Sequence, residues 1–200
     1  LPISGSLMQI QGTIRNIPRP VRGAQKPLKA FCKVADRLID RDSLIRLVLI
    51  SGTVVVADQV TKAVIQAHFS LYETLTVING FFNITYIMNP GGAFGIFADQ
   101  SPQLRKFVFL FLSSIVAVLI LWFYKRTCGN DKILSSAFAL IFGGAVGNLI
   151  DRVRFGTVVD FLDFHAGNLH WPAFNIADSA ITVGMGVFLY YIVFNKISDL

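Results

Sequence analysis

The chain has 200 residues, 54% of them hydrophobic and only 15% charged, with a mean hydropathy of +0.59 and a formal net charge of +6. Such a composition excludes an ordinary soluble domain or a disordered chain and places the protein in the membrane class. A basic excess beside apolar runs follows from membrane topology and gives no reason to expect a nucleic-acid partner.

Residues 1–43 form a basic leader with Pro18, Pro20 and Pro27 and no long apolar run. It lacks an apolar h-region followed by a small-residue cleavage site, so it does not read as a signal peptide. An extension added in cloning and a natural basic arm touching anionic lipid both fit it. Lys29 to Arg46 reads as a surface helix leading into the first span. Residues 44–200 read as one four-span membrane domain. The spans are Leu44 to Gln66, Leu104 to Tyr124, Ile133 to Asp151 and Ile176 to Phe194, close to the roughly 20 apolar residues a crossing needs. Nine of the 18 Lys and Arg lie from Arg15 to Arg46; Lys125, Arg126 and Lys132 flank the link between spans two and three, and Lys196 follows span four. The positive-inside rule puts these places, and so both termini, in the cytoplasm. Arg105, Lys106, Arg152 and Arg154 run against the rule without outvoting the rest. Cys32 and Cys128 have no metal-ligand neighbours at suitable spacing and read as free thiols.

Between spans one and two, Thr74 to Ile78 and Phe81 to Ile87 are β-favouring runs around Asn79-Gly80. Asn-Gly in that setting predicts a hairpin whose two turn residues both take positive φ. Asn89-Pro90-Gly91-Gly92-Ala93-Phe94-Gly95 follows, a backbone able to approach another group closely. The predicted fold is therefore an all-α integral membrane protein of four transmembrane helices with a small extracytoplasmic β-hairpin or sheet.

The polar residues of the spans gather near the outer surface. At a rise of about 1.5 Å per residue, Asp58 lies roughly 20 Å along span one. Lys62 follows one turn later and reads as its structural ion-pair partner. Asn148, Asp151 and Arg152 share a face at the outer end of span three, where they either cap the span or shape a site. Asn175, Asp178 and Ser179 occupy the first turn of span four, and Asp160 lies in the link between those two ends. Asp163 reads as a solvated loop carboxylate and Trp171 as part of an interfacial aromatic belt. His165 and His170 lack a third ligand at a recognisable spacing, so no metal site is expected.

Asp160 and Asp178 stand apart from these. A carboxylate at the margin of an apolar segment is expensive to keep and marks function. Two that meet cannot both ionise readily, so they would share a proton and do acid–base chemistry. An ion-coupled transporter also uses such carboxylates, but here the polar residues gather at one face and no inverted repeat is visible. A membrane scaffold would leave the pair unexplained.

The runs Gly143-Gly144-Ala145-Val146-Gly147-Asn148-Leu149-Ile150-Asp151-Arg152, Val158-Val159-Asp160-Phe161 and Phe174-Asn175-Ile176-Ala177-Asp178-Ser179-Ala180 closely resemble the bacterial lipoprotein signal peptidases (signal peptidase II). So do Asp58-Gln59-Val60-Thr61-Lys62, and Asn89 with Gly91 to Phe94. The resemblance spans about Leu44 to Phe194; the long basic leader departs from a family whose members start close to the first span. It implies an aspartic endopeptidase of the bacterial inner membrane that cleaves diacylglyceryl-modified prolipoproteins before the lipidated cysteine, near the outer face. It further implies Asp160 and Asp178 as the catalytic pair, with Asp58, Lys62, Asn89, Gly91, Asn148, Arg152 and Asn175 lining or shaping the site. No metal or organic cofactor is implied, and the partners are substrate and membrane lipid, with the enzyme a monomer.

In such chemistry one carboxylate takes a proton from a water that attacks the scissile carbonyl. The other hydrogen-bonds the carbonyl oxygen and later protonates the leaving amine. Because the dyad titrates as a unit, either aspartate fits the role of initial base. Asn175 is expected to stabilise the oxyanion, and the hairpin with the Gly91-Gly92 loop to clamp the substrate.

Overall fold

A computed structural model describes residues 39–91, 100–167 and 169–194. The leader up to residue 38 with Cys32, the loop residues Gly92 to Gly95, and Lys196 lie outside the described residues. Four helices carry the fold: α1 (Arg41–His68), α2 (Pro102–Thr127), α3 (Lys132–Phe155) and α4 (Ile176–Val193). Each is long and apolar enough to cross a membrane. Every start is capped: side chains of Asp40, Ser101, Asp131 and Asn175 accept backbone N–H groups that have no partner inside the helix. Gly156, at φ +80°, ends α3 in the left-handed conformation.

Helix α3 is the centre of the bundle and packs against the other three. Its apolar window is 61% buried, against 22% or less in the others, which therefore leave Val48, Val56, Phe107 and Val118 for lipid to cover. Lipid gives helices little hydrophobic drive to associate, so close backbone approach must hold them together. Gly143 and Gly144 supply it. A Cβ on Gly143 would stand 2.8 Å from Cα of Ser51 in α1, and one on Gly144 would meet the Ala177 carbonyl and lie 2.7 Å from Cγ1 of Ile181 in α4. Gly144→Ala is therefore expected to push α4 outward at a cost of about 1–3 kcal/mol. Thermal unfolding in detergent checks this; an unchanged midpoint would show that the helices separate freely.

At the end where α1 and α3 finish and α2 and α4 begin lies a small antiparallel sheet. Its strands β1 (Thr74–Ile78), β2 (Phe82–Asn89), β3 (Val158–Ala166) and the two-residue β4 (Leu169–His170) stand in that order. The hairpin differs from the predicted two-residue turn. Ile78 pairs with Phe82, so Asn79, Gly80 and Phe81 all lie in the connection, and Gly80 alone of them has positive φ, +75°. A register shift between Thr76 and Ile78 places an extra residue on β1, and that moves the pairing off the Asn-Gly register.

Two further expectations are corrected. The link after α3 is not a loop but strand β3, so Asp160 sits on a paired backbone. Asp163 is not solvated: it is 9% exposed and accepts a hydrogen bond from Asn83 Nδ2 at 2.8 Å, its cross-strand partner on β2. Pairing with a donor across the strands is what makes burial of that carboxylate tolerable.

Candidate active site

Asp160 opposes Ile87 of β2 and is 1% exposed. Its backbone neighbours are held on the other side by Phe174, whose carbonyl accepts from the N–H groups of Phe161 and Leu162 at 3.0 and 2.8 Å. Each carboxylate oxygen has an amide donor: Asn89 Nδ2 reaches Oδ2 at 2.9 Å and Asn175 Nδ2 reaches Oδ1 at 2.7 Å. Burial pushes the Asp160 carboxyl up to about 6, the nearby charge of Asp178 adds to the rise, and the two amide donors oppose it.

Asp178 is half-buried in the first turn of α4. Asn148 Nδ2 donates to its Oδ1 at 2.7 Å. Asn148 Oδ1 in turn accepts from Asn175 Nδ2 at 3.2 Å and from Lys62 Nζ at 3.1 Å. An ammonium has only donors, so Lys62 holds the oxygen of the Asn148 amide and turns its nitrogen toward Asp178. A chain of amides, Asn175 then Asn148, thus joins the two aspartates, which come from different elements.

Asn175 is fully buried and does several jobs at once. Its Oδ1 accepts from the Asp178 N–H, which starts α4, while Nδ2 faces Asp160 Oδ1, Asn148 Oδ1 and the Val159 carbonyl. Two amide hydrogens among three acceptors leave neither for an oxyanion, so the geometry gives Asn175 a holding task in place of the expected one. Gly91 acts through Asn89: at φ +83° its N–H donates to Asn89 Oδ1 at 2.8 Å, which aims the amide nitrogen at Asp160. A Cβ there would also stand 3.0 Å from the Phe109 ring. Arg152 donates from Nη1 to the Asn148 carbonyl at 3.3 Å, with its guanidinium in electrostatic reach of Asp178, Asp160 and Asp151.

Behind this layer lies a second one, in which Lys62, Asp58 and Asp151 are all buried. Lys62 Nζ is 2.8 Å from Asp58 Oδ2, the ion pair read from the sequence, and also 2.8 Å from Asp151 Oδ2. Gln59 Nε2 joins the two carboxylates, at 3.2 Å from Asp58 and 2.9 Å from Asp151. Sequence reasoning assigned nothing to Gln59 and left Asp151 open between capping the span and shaping a site. Helical spacing held the clue, since Asp151 lies one turn beyond Asn148 on the buried face of α3. Elsewhere, His165 pairs in register with His170, and no group of three metal-ligating side chains occurs among the described residues. Trp171 is 69% exposed at the sheet end, and Cys128 is a buried free thiol.

A sequence model of the family described as "Signal peptidase (SPase) II" matches residues 50–194. The chain is 60% identical over 158 residues to a "Lipoprotein signal peptidase" of Desulforapulum autotrophicum, covering 79% of this chain and 98% of that one. It is 48% identical over 142 residues to the protein of the same name from Syntrophus aciditrophicus, covering 71% and 88%. Among solved structures it is similar to a "bacterial membrane enzyme" determined at 2.3 Å, with a TM-score of 0.64 at 36% identity over 76% of this chain and 89% of that one. A second such structure, at 1.9 Å, gives a TM-score of 0.64 at 33% identity over 77% and 94%. With four apolar spans, a buried carboxylate at the sheet end and these relatives, the chain belongs to the signal peptidase II family of membrane proteases.

Proposed function

We propose that this protein is an aspartic endopeptidase that removes signal peptides from diacylglyceryl-modified prolipoproteins, cutting before the lipidated cysteine. Asp160 and Asp178 form the dyad, at the outer face of a bacterial inner membrane with both chain termini in the cytoplasm. The observation that carries the reading is the linkage of two carboxylates through Asn175 and Asn148, with one of them buried and pushed up to about 6. A carboxyl that keeps its proton beside one that is ionised is the state a water-activating pair requires. Asp160 then donates to the scissile carbonyl oxygen, while half-buried Asp178 draws the proton from the attacking water. At the bundle end, the site can meet a signal-peptide helix held in lipid. The test is cleavage of a diacylglyceryl-modified prolipoprotein by the purified protein, followed as a gel shift. An inert enzyme on a verified lipidated substrate would end this reading.

The pH dependence follows from Asp160. Raising pH through about 6 removes the shared proton from the free enzyme, so kcat/KM is expected to fall on that side. Bound substrate excludes further water, which favours the neutral carboxyl, so the same limb in kcat should lie at higher pH. Initial rates across pH 4–9 check both limbs, and a kcat/KM that rises steadily to the alkaline end would contradict the assignment.

A further inference from the structure

The two carboxylates that clamp Lys62 do something else as well. Asp151 Oδ2 accepts the backbone N–H of Val159 at 3.1 Å, and Val159 directly precedes Asp160. Asp58 Oδ1 accepts the backbone N–H of Ala177 at 2.9 Å, and Ala177 directly precedes Asp178. Each grip is therefore one residue upstream of a dyad member, and the grips meet at a single ammonium. Asp58 is 0% exposed, Asp151 1% and Lys62 2%, so none is a surface pair of little consequence.

We infer that Asp58, Lys62 and Asp151 act as a yoke: Lys62, by pulling two carboxylates together, sets the spacing between the backbone that carries Asp160 and the backbone that carries Asp178. The three are positioning residues, and the inference rests on the dyad reading above. Leu162 and Phe174 bridge the same two segments downstream of Asp160 and upstream of Asn175. Without the yoke, β2 would still pair with Val158 to Asp160 and Asn175 would still cap α4, but the Val159 and Ala177 N–H groups would lose the tie that joins them to each other. Gly147 makes the clamp possible, since a Cβ on it would stand 2.7 Å from Asp58 Oδ2.

The geometry has a signature that a purely electrostatic or purely structural role lacks. Asp151 serves Lys62 and Val159 with the same oxygen, Oδ2. Asp58 serves Lys62 with Oδ2 and Ala177 with Oδ1. An amide has one acceptor oxygen. Asp151→Asn can therefore keep both grips and gives up only its contact with Gln59, whose amide nitrogen stays with Asp58 Oδ2 and the Gly147 carbonyl, whereas Asp58→Asn must release one. Both remove the same single charge and leave Lys62 paired with a carboxylate.

The test uses the full chain in lipid nanodiscs with the lipidated substrate, and begins by establishing that wild type cuts and that Asp160→Asn does not. If wild type is inert, the dyad reading fails rather than the yoke. With that in place, Asp151→Asn should lose about 10-fold or less in kcat, while Asp58→Asn should lose about 100-fold in kcat at a KM within about 3-fold. Around the dyad stand Asp58 and Lys62 from α1, Asp151 and Arg152 from α3, Asp160 from β3 and Asp178 from α4. Moving the two aspartates apart weakens their repulsion, so the two apparent pKa values of the kcat/KM bell should draw together by about half a unit or more in Asp58→Asn. Gly147→Ala, which displaces Asp58 without changing any charge, should narrow the bell in the same direction. Equal kcat for Asp58→Asn and Asp151→Asn, or a loss in Asp58→Asn confined to KM with an unchanged bell, overturns the yoke. If Asp58→Asn does not fold, Asp151→Asn still decides, because a kcat loss of about 30-fold or more in that folded variant overturns it.

Discussion

Asp160→Asn and Asp178→Asn are each expected to lower cleavage about ten-thousand-fold, equivalent to about 5.5 kcal/mol of transition-state stabilisation. An amide cannot hold the shared proton, nor can it take one from water at neutral pH. The folds should survive because the shapes are nearly unchanged. Asp178 has one side-chain amide donor among the described residues, Asn148, and a rotated side-chain amide can offer that donor its oxygen. Asp160 is less accommodating: Asn89 and Asn175 hold separate oxygens, and an amide can satisfy only one of them. Asp160→Asn should accordingly be the less stable variant of the two, by about 1 kcal/mol or more. Gel-shift rates and unfolding midpoints, measured on the same preparations, separate the two effects. Cleavage that persists in either folded variant would remove the dyad while leaving family membership untouched.

The second large effect is expected at Asn175. Asn175→Ala removes the cap of α4, a contribution of about 1 kcal/mol. It also strips a donor from buried Asp160 and from the Val159 carbonyl, which brings the total loss of stability to about 2–4 kcal/mol. Activity should fall by about 100-fold or more, chiefly in kcat, since the start of α4 and the orientation of Asn148 both depend on this side chain. There is a directional check. The Asn175 amide favours the ionised form of Asp160, so its removal should move the alkaline limb of kcat/KM to higher pH. Asn175→Asp keeps the cap but sets a third carboxylate beside Asp160, and should be inactive for that different reason. A variant that loses stability yet keeps wild-type kcat and limb position would reduce Asn175 to a helix cap.

Several of these side chains were legible before any fold was known. Asp58 with Lys62 at one-turn spacing predicted an ion pair, and the structure has it at 2.8 Å. Asp160 and Asp178 were singled out because carboxylates beside apolar runs are costly, Asn148 and Asn175 through the family resemblance, and the fold brings all four into one hydrogen-bonded chain. Strand β3 was not legible. Its first four residues, Val158 to Phe161, are all buried, so the alternation that betrays a strand is absent where the site begins. Asp163 was misread for a related reason: its donor, Asn83, is 80 residues away and becomes a neighbour only when β2 pairs with β3.

Hydropathy, helix spacing and motif order are local quantities, and through them the sequence by itself determined four spans, a hairpin and the family. Which groups neutralise one another is not local. Lys62 could be paired with Asp58 from one helix, but its second carboxylate, Asp151, arrives on another helix, through the close approach that small residues such as Gly143 and Gly147 allow. Likewise the elevated carboxyl of Asp160 reflects burial by β2, Phe174 and α4 together, and no short segment carries that information. Burial and charge pairing depend on distance in space across elements far apart in the chain, and the packing of α3 against its neighbours is what set them.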